Sequence, residues 1–336
     1  MPNLGVVIIG RNEGDRLVRC IRSVQGVTEA VVYVDSGSVD QSVETARTLG
    51  ADVVLLEPSI PFTAARARNA GFCRLIETSP DIEFIQFVDG DCEVVSGWLE
   101  SAMTELTIQA DAAVVCGRRR ERHPEKSIYN RLCDFEWDTP VGEATACGGD
   151  ALFRRGPFEQ VGGYADYLIA GEEPELCARL RAVGWKIFRI DEEMTAHDAA
   201  MVSFTQWWRR AVRGGYAYAA VSLLVGPDRI RIWTREFLSN WLWGLLLPVA
   251  ILVLLSFFPW ASLILLAAYA LLGLRIYRGR RVQGDSPEKS RLYACFCVLA
   301  KFPLVQGQLS YYRDRLLGRR GKLIEYKGAA VPLETS

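Results

Sequence analysis

The chain has 336 residues, enough for one large domain with an appendage or for two domains. Its 39 Lys and Arg nearly cancel 40 Asp and Glu, so no global field points to a nucleic-acid partner. Nine cysteines without a Cys-x-x-Cys pair or a Cys/His cluster at zinc spacing supply no disulfide framework and suit reduced thiols facing the cytosol, many of them small core residues.

The opening MPNLGVVIIG has no basic n-region or cleavage site and runs straight into a β-branched strand, so no signal peptide is expected. GDRLVRCIRSV places Leu17, Cys20, Ile21 and Val24 at helical spacing, with Arg16, Arg19 and Arg22 on the other face. AVVYVD predicts a second strand ending at Asp35. Asp40 is placed to cap the helix QSVETARTLG, which stops at Gly50. ADVVLL is a third strand, FTAARARNAGFCRLI a third helix and EFIQFVD a fourth strand. DAAVVCGRR reads as a further strand, and RRRERHPEK after it as a charged loop in which His123 has no role. CGGDALFRRGPFEQVGGY reads as glycine-rich turns. GEEPELCARLRAVGWKIFRI reads as a helix and then a strand, with Leu176, Leu180 and Val183 on one face. Strands alternating with helices predict an α/β domain with a mostly parallel, covered sheet. In such sheets ligands bind beyond the carboxyl ends of strands, where Asp35 and Asp89 both fall.

Beyond about residue 225 the character changes to long apolar blocks separated by arginine clusters. MVSFTQWWRRAVRGGYAYAAVSLL, near 203–225, reads as an amphipathic helix for a bilayer interface; a basic helix packed on the domain is the competing reading. Residues 238–258 are uncharged and match the roughly 20 residues of a membrane span, with Trp241, Trp243 and Trp260 near its ends. Residues 260–274 are short for a span unless Arg275 and Tyr277 snorkel, which extends the segment to about 277. The basic stretch RIYRGRRVQGDSPEKSR is cytoplasmic by the positive-inside rule, and Arg229, Arg231 and Arg235 precede the first block. A helical hairpin turning near 258–260 follows. Residues 292–312 contain Lys301 and Pro303 and are expected as a re-entrant or interfacial segment. The division is thus a domain over 1–226 and a membrane region over 227–336, with the first facing the cytoplasm at the cytoplasmic membrane.

FIQFVDGDCEV carries the sharpest chemistry. Asp89 and Asp91 end an apolar strand, and Asp-x-Asp suits a divalent cation such as Mg²⁺ or Mn²⁺ shared with substrate phosphates. Alone, Asp-Gly-Asp reads first as an ordinary turn; a second acid at the same rim, Asp35, favours the metal.

In order along the chain, VVIIGRNEGDRLVRCIRSV, VVYVDSGSVDQSVETA, ARARNAG, QFVDGD, ACGGDALFRR and GEEPELCARLRAVGWKI resemble the successive motifs of a family-2 glycosyltransferase of GT-A fold. The tail LIEYK resembles endings of membrane-attached members. The resemblance implies a Rossmann-like domain and inverting transfer from a nucleotide-diphospho-sugar. It implies that Asp35 contacts the nucleoside with Glu13 beside it, that Arg68 faces the base or diphosphate, and that Asp89 and Asp91 hold the sugar nucleotide and its metal. His197, in MTAHDAA, matches a histidine near the metal in many relatives, against the competing reading of a structural histidine. Where the family usually shows Glu-Asp, this chain has Glu172–Glu173. Glu173 aligns with the usual base, one methylene longer, and Glu172 is second; helix N-terminal acids are the competing reading. Asp150 is an acceptor-side candidate or a turn residue. QWWRR resembles the Gln-x-x-Arg-Trp motif of processive members but ends in Arg210, so Gln206 and Arg209 are placed at the acceptor side or against lipid headgroups. The implied partners are a nucleotide-sugar donor, membrane lipids and a lipid-linked or membrane-proximal acceptor in cell-surface glycan synthesis. A processive synthase or an inactive membrane scaffold are the alternatives.

Overall fold

In the computed structural model, which describes residues 3–222 and 232–319, the run LGVVIIG becomes the central strand β1 (Leu4–Gly10). The elements that follow are α1 (Asp15–Val24), β2 (Val31–Asp35), α2 (Ser42–Thr48), β3 (Asp52–Leu55), α3 (Ala64–Thr78), β4 (Phe84–Asp89), β5 (Cys92–Val94) and α4 (Trp98–Ile108). Then come β6 (Ala112–Glu121), α5 (Ile128–Glu136), β7 (Gly142–Glu143), β8 (Ala151–Arg154), α6 (Arg155–Gln160), α7 (Glu172–Ala182), β9 (Lys186–His197) and α8 (Phe204–Ser222). The strands make one sheet in the order β3-β2-β1-β4-β8-β6-β9-β5, with β7 also on β9. β3, β2, β1 and β4 are mutually parallel, and β6 runs parallel to β9. β8 enters antiparallel between β4 and β6, and β5 and β7 pair antiparallel with β9. The α/β expectation holds, with antiparallel steps where the second half of the sheet is built.

The sheet's apolar residues lie in one core. Phe87, Phe153, Phe158 and Tyr164 pack ring to ring, most at edge-on angles that suit aromatic quadrupoles. Buried Gln86 is satisfied by the Trp98 indole N–H, at 3.0 Å from Oε1.

Local expectations are revised in four places. Arg16 is buried against Glu13 rather than exposed with Arg19 and Arg22. Val183 is 51% exposed, because α7 stops at Ala182 and Val183 caps it. The glycine-rich run after Cys147 contains β8 and α6, whose apolar residues Leu152, Phe153 and Phe158 reach the core. β6 continues through the arginines to Glu121, since its partner β9 extends to His197.

The described residues divide into two compact units, 3–200 and 201–222 with 232–319. The boundary therefore falls after Ala200, not near 226, and α8 belongs to the second unit. Its helical face explains the difference: Trp207, Gly215, Tyr216 and Ala219 are buried, with Trp207 edge-on to Phe296 and Tyr216 to Tyr311. The expected boundary itself, Arg229, Arg231 and the LIEYK tail lie outside the described residues.

Three helices of the second unit are long and apolar enough to cross a membrane by length and composition: Thr234–Phe257, Pro259–Val282 and Pro287–Leu316. The first widens into a π-turn at Leu242–Leu246, just before Pro248, whose ring would otherwise press on the carbonyl of Gly244. The second is not short: it runs on through Arg275, Arg278, Arg280 and Arg281, so only residues 283–286 connect it to the third. The third segment, expected to be re-entrant, is helical throughout apart from a step at Ala300. Lys301 and Pro303 are both accommodated within it. Lys301 Nζ meets Ser239 Oγ and Asn240 Oδ1, both at 3.1 Å. Pro303 sits in the first turn after the step, where its missing N–H is no loss. The helices cross at glycines: a Cβ on Gly215 would lie 2.0 Å from the Leu304 carbonyl oxygen, and one on Gly307 2.0 Å from that of Val212.

Candidate active site

Sheet register gathers the acids. On β1, Gly10 pairs with Asp35 of β2 and Ile9 with Asp89 of β4, so the two carboxylates flank the same strand end. Asp35 is buried and folds its own turn: it accepts from Gly37 N at 2.9 Å, Ser38 N at 2.8 Å and Tyr33 Oη at 3.0 Å, with the Ser38 hydroxyl also on it. Burial and then the Asp35 charge push the Tyr33 phenol well up, so it remains a donor. Asn12, in a left-handed conformation that Asn tolerates, clamps this loop. Its N–H donates to Ser38 Oγ at 2.9 Å and its Oδ1 accepts from Val39 N at 2.8 Å. Glu13 pairs with Arg16 at 2.9 Å. A Cβ on Gly90 would stand 3.2 Å from both Glu13 Cγ and the Ile9 carbonyl oxygen, a tight approach that a side chain would crowd.

Asp89 does not face a like charge alone. Arg68 Nη2 donates to its Oδ1 at 2.8 Å, and the other arm of Arg68 donates to Glu172 Oε1 at 2.9 Å. Burial opposes the Arg68 charge, but Asp89 and Glu172 more than offset that and raise its pKa. Arg119 Nη2 reaches Asp150 Oδ2 at 2.7 Å and Asp89 Oδ2 at 3.5 Å. Asp150 is fully buried: its Oδ1 accepts from Asp89 N at 3.0 Å and its Oδ2 from Thr195 Oγ1 at 2.8 Å. Its place is therefore beneath Asp89, holding the strand end, rather than open to an acceptor. A Cβ on Gly149 would meet Arg68 Nη2 at 2.9 Å and Arg119 Nη2 at 3.2 Å, so the backbone here passes directly against both guanidiniums.

Asp91 turns the other way. Its Oδ1 lies 3.4 Å from His197 Nε2, and His197 Nδ1 lies 3.8 Å from Glu121 Oε2. The sheet fixes this: His197 on β9 pairs with Cys92 of β5 on one side and Glu121 of β6 on the other. Trp137 stands edge-on to the imidazole at 4.7 Å. Glu121 is itself tied down by His123 N, Asn130 Nδ2 and Ala199 N, each at 3.0 Å. His197 thus stands between two carboxylates, with Nε2 on the Asp91 side. Carboxylate oxygens plus an imidazole suit Mg²⁺ or Mn²⁺. Burial and then Asp150 hold the neighbouring Cys92 as a thiol, well above its ordinary pKa. Asp89, Asp150 and Glu172 share the Arg68 and Arg119 guanidiniums, while Asp91 stands against His197.

At the start of α7 the two glutamates diverge. Glu172 joins Arg68. Glu173 Oε1 accepts from Cys147 N at 2.6 Å and from the Cys177 thiol at 3.0 Å. Burial pushes the Cys177 thiol up to about 11. Gln206 and Arg209 lie in the second unit. Gln206 Oε1 accepts from Val202 N at 2.9 Å and Ser203 N at 3.0 Å, closing the turn that begins α8, and Arg209 is exposed.

Sequence reasoning missed Arg119, Glu121, Trp137, Thr195 and the Cys147–Cys177 pair. For Arg119 and Glu121 a signal existed, since an arginine run with alternating sides can continue a strand.

Three comparisons bear on this geometry. The "Glycosyl transferase family 2" profile matches residues 5–162. The glycosyltransferase AglE of Haloferax volcanii is 23% identical over 273 residues, 77% of this chain and 82% of that protein. The O-antigen chain rhamnosyltransferase WbaN of Salmonella anatum is 23% identical over 50% of this chain, which spans only 56% of WbaN. Among solved structures, the mannosyltransferase PcManGT from Pyrobaculum calidifontis, in complex with GDP-Man and Mn²⁺, superposes with a TM-score of 0.62 at 18% identity, covering 94% of this chain and 88% of that one.

Proposed function

Because this chain belongs to glycosyltransferase family 2 and has the GT-A fold, we propose that it is a membrane-attached inverting glycosyltransferase. It moves a sugar from a nucleotide-diphospho-sugar to a lipid-linked or membrane-proximal acceptor in cell-surface glycan synthesis. The observation that carries this reading is the single rim shared by Asp35, Arg68, Asp89, Asp91 and His197, with Glu172 tied to it through Arg68 and Glu173 next to Glu172 at the start of α7.

Asp91 and His197, with Asp89 beside them, would hold Mg²⁺ or Mn²⁺, which supplies charge neutralisation for the leaving diphosphate. Arg68 and Arg119 keep Asp89 in place while the diphosphate binds. The Asp35 turn and Asn12–Glu13 loop form the nucleoside end. Glu173 takes the acceptor hydroxyl's proton: Cys147 N and Cys177 Sγ anchor Oε1, and Oε2 receives it. The acceptor oxygen forms its bond to the anomeric carbon as the carbon–diphosphate bond breaks, so the configuration inverts and nucleoside diphosphate leaves. The extra methylene of Glu relative to Asp is absorbed by anchoring the carboxylate sideways.

By the positive-inside rule the arginines closing the second apolar helix favour a cytoplasmic 283–286 connection, and two crossings before it would give the catalytic domain the same side. Activity is tested by incubating full-length protein in detergent with Mn²⁺, a panel of nucleotide sugars and acceptor lipids, and recording released nucleoside diphosphate. Glu173→Gln should keep donor binding and lose about 10²–10⁴-fold in turnover; undiminished turnover moves the base elsewhere. Asp91→Asn should abolish metal-dependent release. Reporters at Pro259 and Ser336 count the crossings.

A further inference from the structure

A second cluster of metal-ligating groups lies apart from the Asp91–His197 pair. Glu173 and Cys177 stand four residues apart on α7 and so share a face. Cys147 comes to them from the loop before β8. The sulfurs of Cys147 and Cys177 are 3.6 Å apart, and Cys177 Sγ is 3.0 Å from Glu173 Oε1. All three ligand atoms lie within 4.8 Å of one another and all three residues are buried. Two thiolates bound at about 2.3 Å to a tetrahedral zinc stand roughly 3.8 Å apart, close to the observed spacing. A second observation points the same way. Tyr164 is buried within electrostatic reach of Cys147, Glu173 and Cys177, and its hydroxyl has no hydrogen-bond partner among the described residues. A water in a fourth coordination position would supply one.

We propose that Cys147, Cys177 and Glu173 form a soft-metal site, of the class that takes Zn²⁺ or Cd²⁺, and that its occupation withdraws Glu173 from catalysis. Two sulfurs and one carboxylate oxygen select these ions over Mg²⁺ and Mn²⁺, which prefer oxygen. Binding converts two thiols to thiolates and releases two protons to solvent, while the Glu173 carboxylate moves from its S–H and N–H donors to the cation. Three protein ligands and one open position leave the metal exchangeable. The inhibitory consequence rests on the reading of Glu173 as the base; the site itself does not.

The test uses full-length, reduced protein in detergent. Cd²⁺ is titrated in while the ultraviolet thiolate-to-cadmium absorbance is followed, with excess Mg²⁺ present. One equivalent of thiolate-bound Cd²⁺ per chain is expected, displaced by Zn²⁺. C147S/C177S, shown to be folded by its thermal unfolding, should lose that equivalent, and C73S, at an exposed thiol, should keep it. No absorbance in the parent, or full absorbance in C147S/C177S, overturns the proposal; the second result would assign binding to other thiols such as Cys92. Zn²⁺ should slow nucleoside diphosphate release in the parent and not alter the turnover that C147S/C177S retains. Binding with unslowed turnover supports the site and overturns the assignment of the base.

Discussion

The two units of this protein treat apolar side chains in opposite ways. In the α/β unit Leu75, Phe87, Ile85 and Phe153 are sealed inside, and exposed positions are largely polar. In the helical unit Leu252, Trp260 and Leu263 are each at least 66% exposed, and only 11% and 6% of the most apolar stretches of the first two long helices are buried. Besides a few apolar side chains such as Trp207, Tyr216 and Val305, what the helical unit buries includes Asn240, Gln308 and closely packed glycines. The difference teaches which solvent each unit is built for. Water drives the first to hide its hydrocarbon. The second gains nothing by hiding it if lipid surrounds it, so close backbone approach and internal hydrogen bonds hold its helices together.

The same contrast governs charge. The α/β unit buries Arg68, Asp150 and Glu172, with half-buried Arg119 completing the network, and removing a partner would strand a buried charge in low dielectric. Arg119→Ala is therefore expected to have the largest effect on stability, about 3–5 kcal/mol, or a fall of roughly 6–20 °C in the midpoint of the domain's thermal unfolding. An unchanged midpoint would show that Asp150 does not need the guanidinium. Leu263→Arg places a charge on a helix face 67% exposed in the structure and should weaken membrane insertion by about 2.5–3.5 kcal/mol. Alkaline extraction of membranes measures this, and full retention would break the comparison. The most direct test pairs two leucines. Leu75→Ala, in the sheet core, should cost about 2–5 kcal/mol, whereas Leu263→Ala in detergent should stay within about 0.5 kcal/mol. Equal losses would mean that the second unit has an ordinary core. Gly307→Leu should cost about 1–3 kcal/mol by wedging α8 off the third long helix, read as faster proteolysis of the detergent-solubilised chain. Gly273→Leu is the control, since a Cβ there would have 3.8 Å to its nearest neighbour, Val298 Cγ2.

Much of the α/β unit was legible because its strands are short, β-branched and bounded by turns. Asp35, Arg68, Asp89 and Asp91 could be singled out since each sits in a motif read along the chain. Thr195 could not, and for Arg119 and Glu121 the arginine run hinted only at a longer strand, because their roles depend on β6 and β9 pairing in parallel far apart in sequence. The Glu172–Glu173 pair shows the boundary well. Adjacent residues on a helix start point some 100° apart, so one meets Arg68 and the other Cys147. No local pattern says which. Likewise no local pattern showed that Lys301 would meet Ser239 and Asn240.

The sequence by itself determined the alternation of strands and helices, the acids at strand ends and the long apolar helices, because each follows from local periodicity, turn chemistry and the length of uncharged runs. Only the tertiary structure decided how those acids are compensated, where the α/β unit ends and which thiols stand beside Glu173. These depend on register between distant strands and on one helix face meeting another. The chain specifies both only once the core has closed around them.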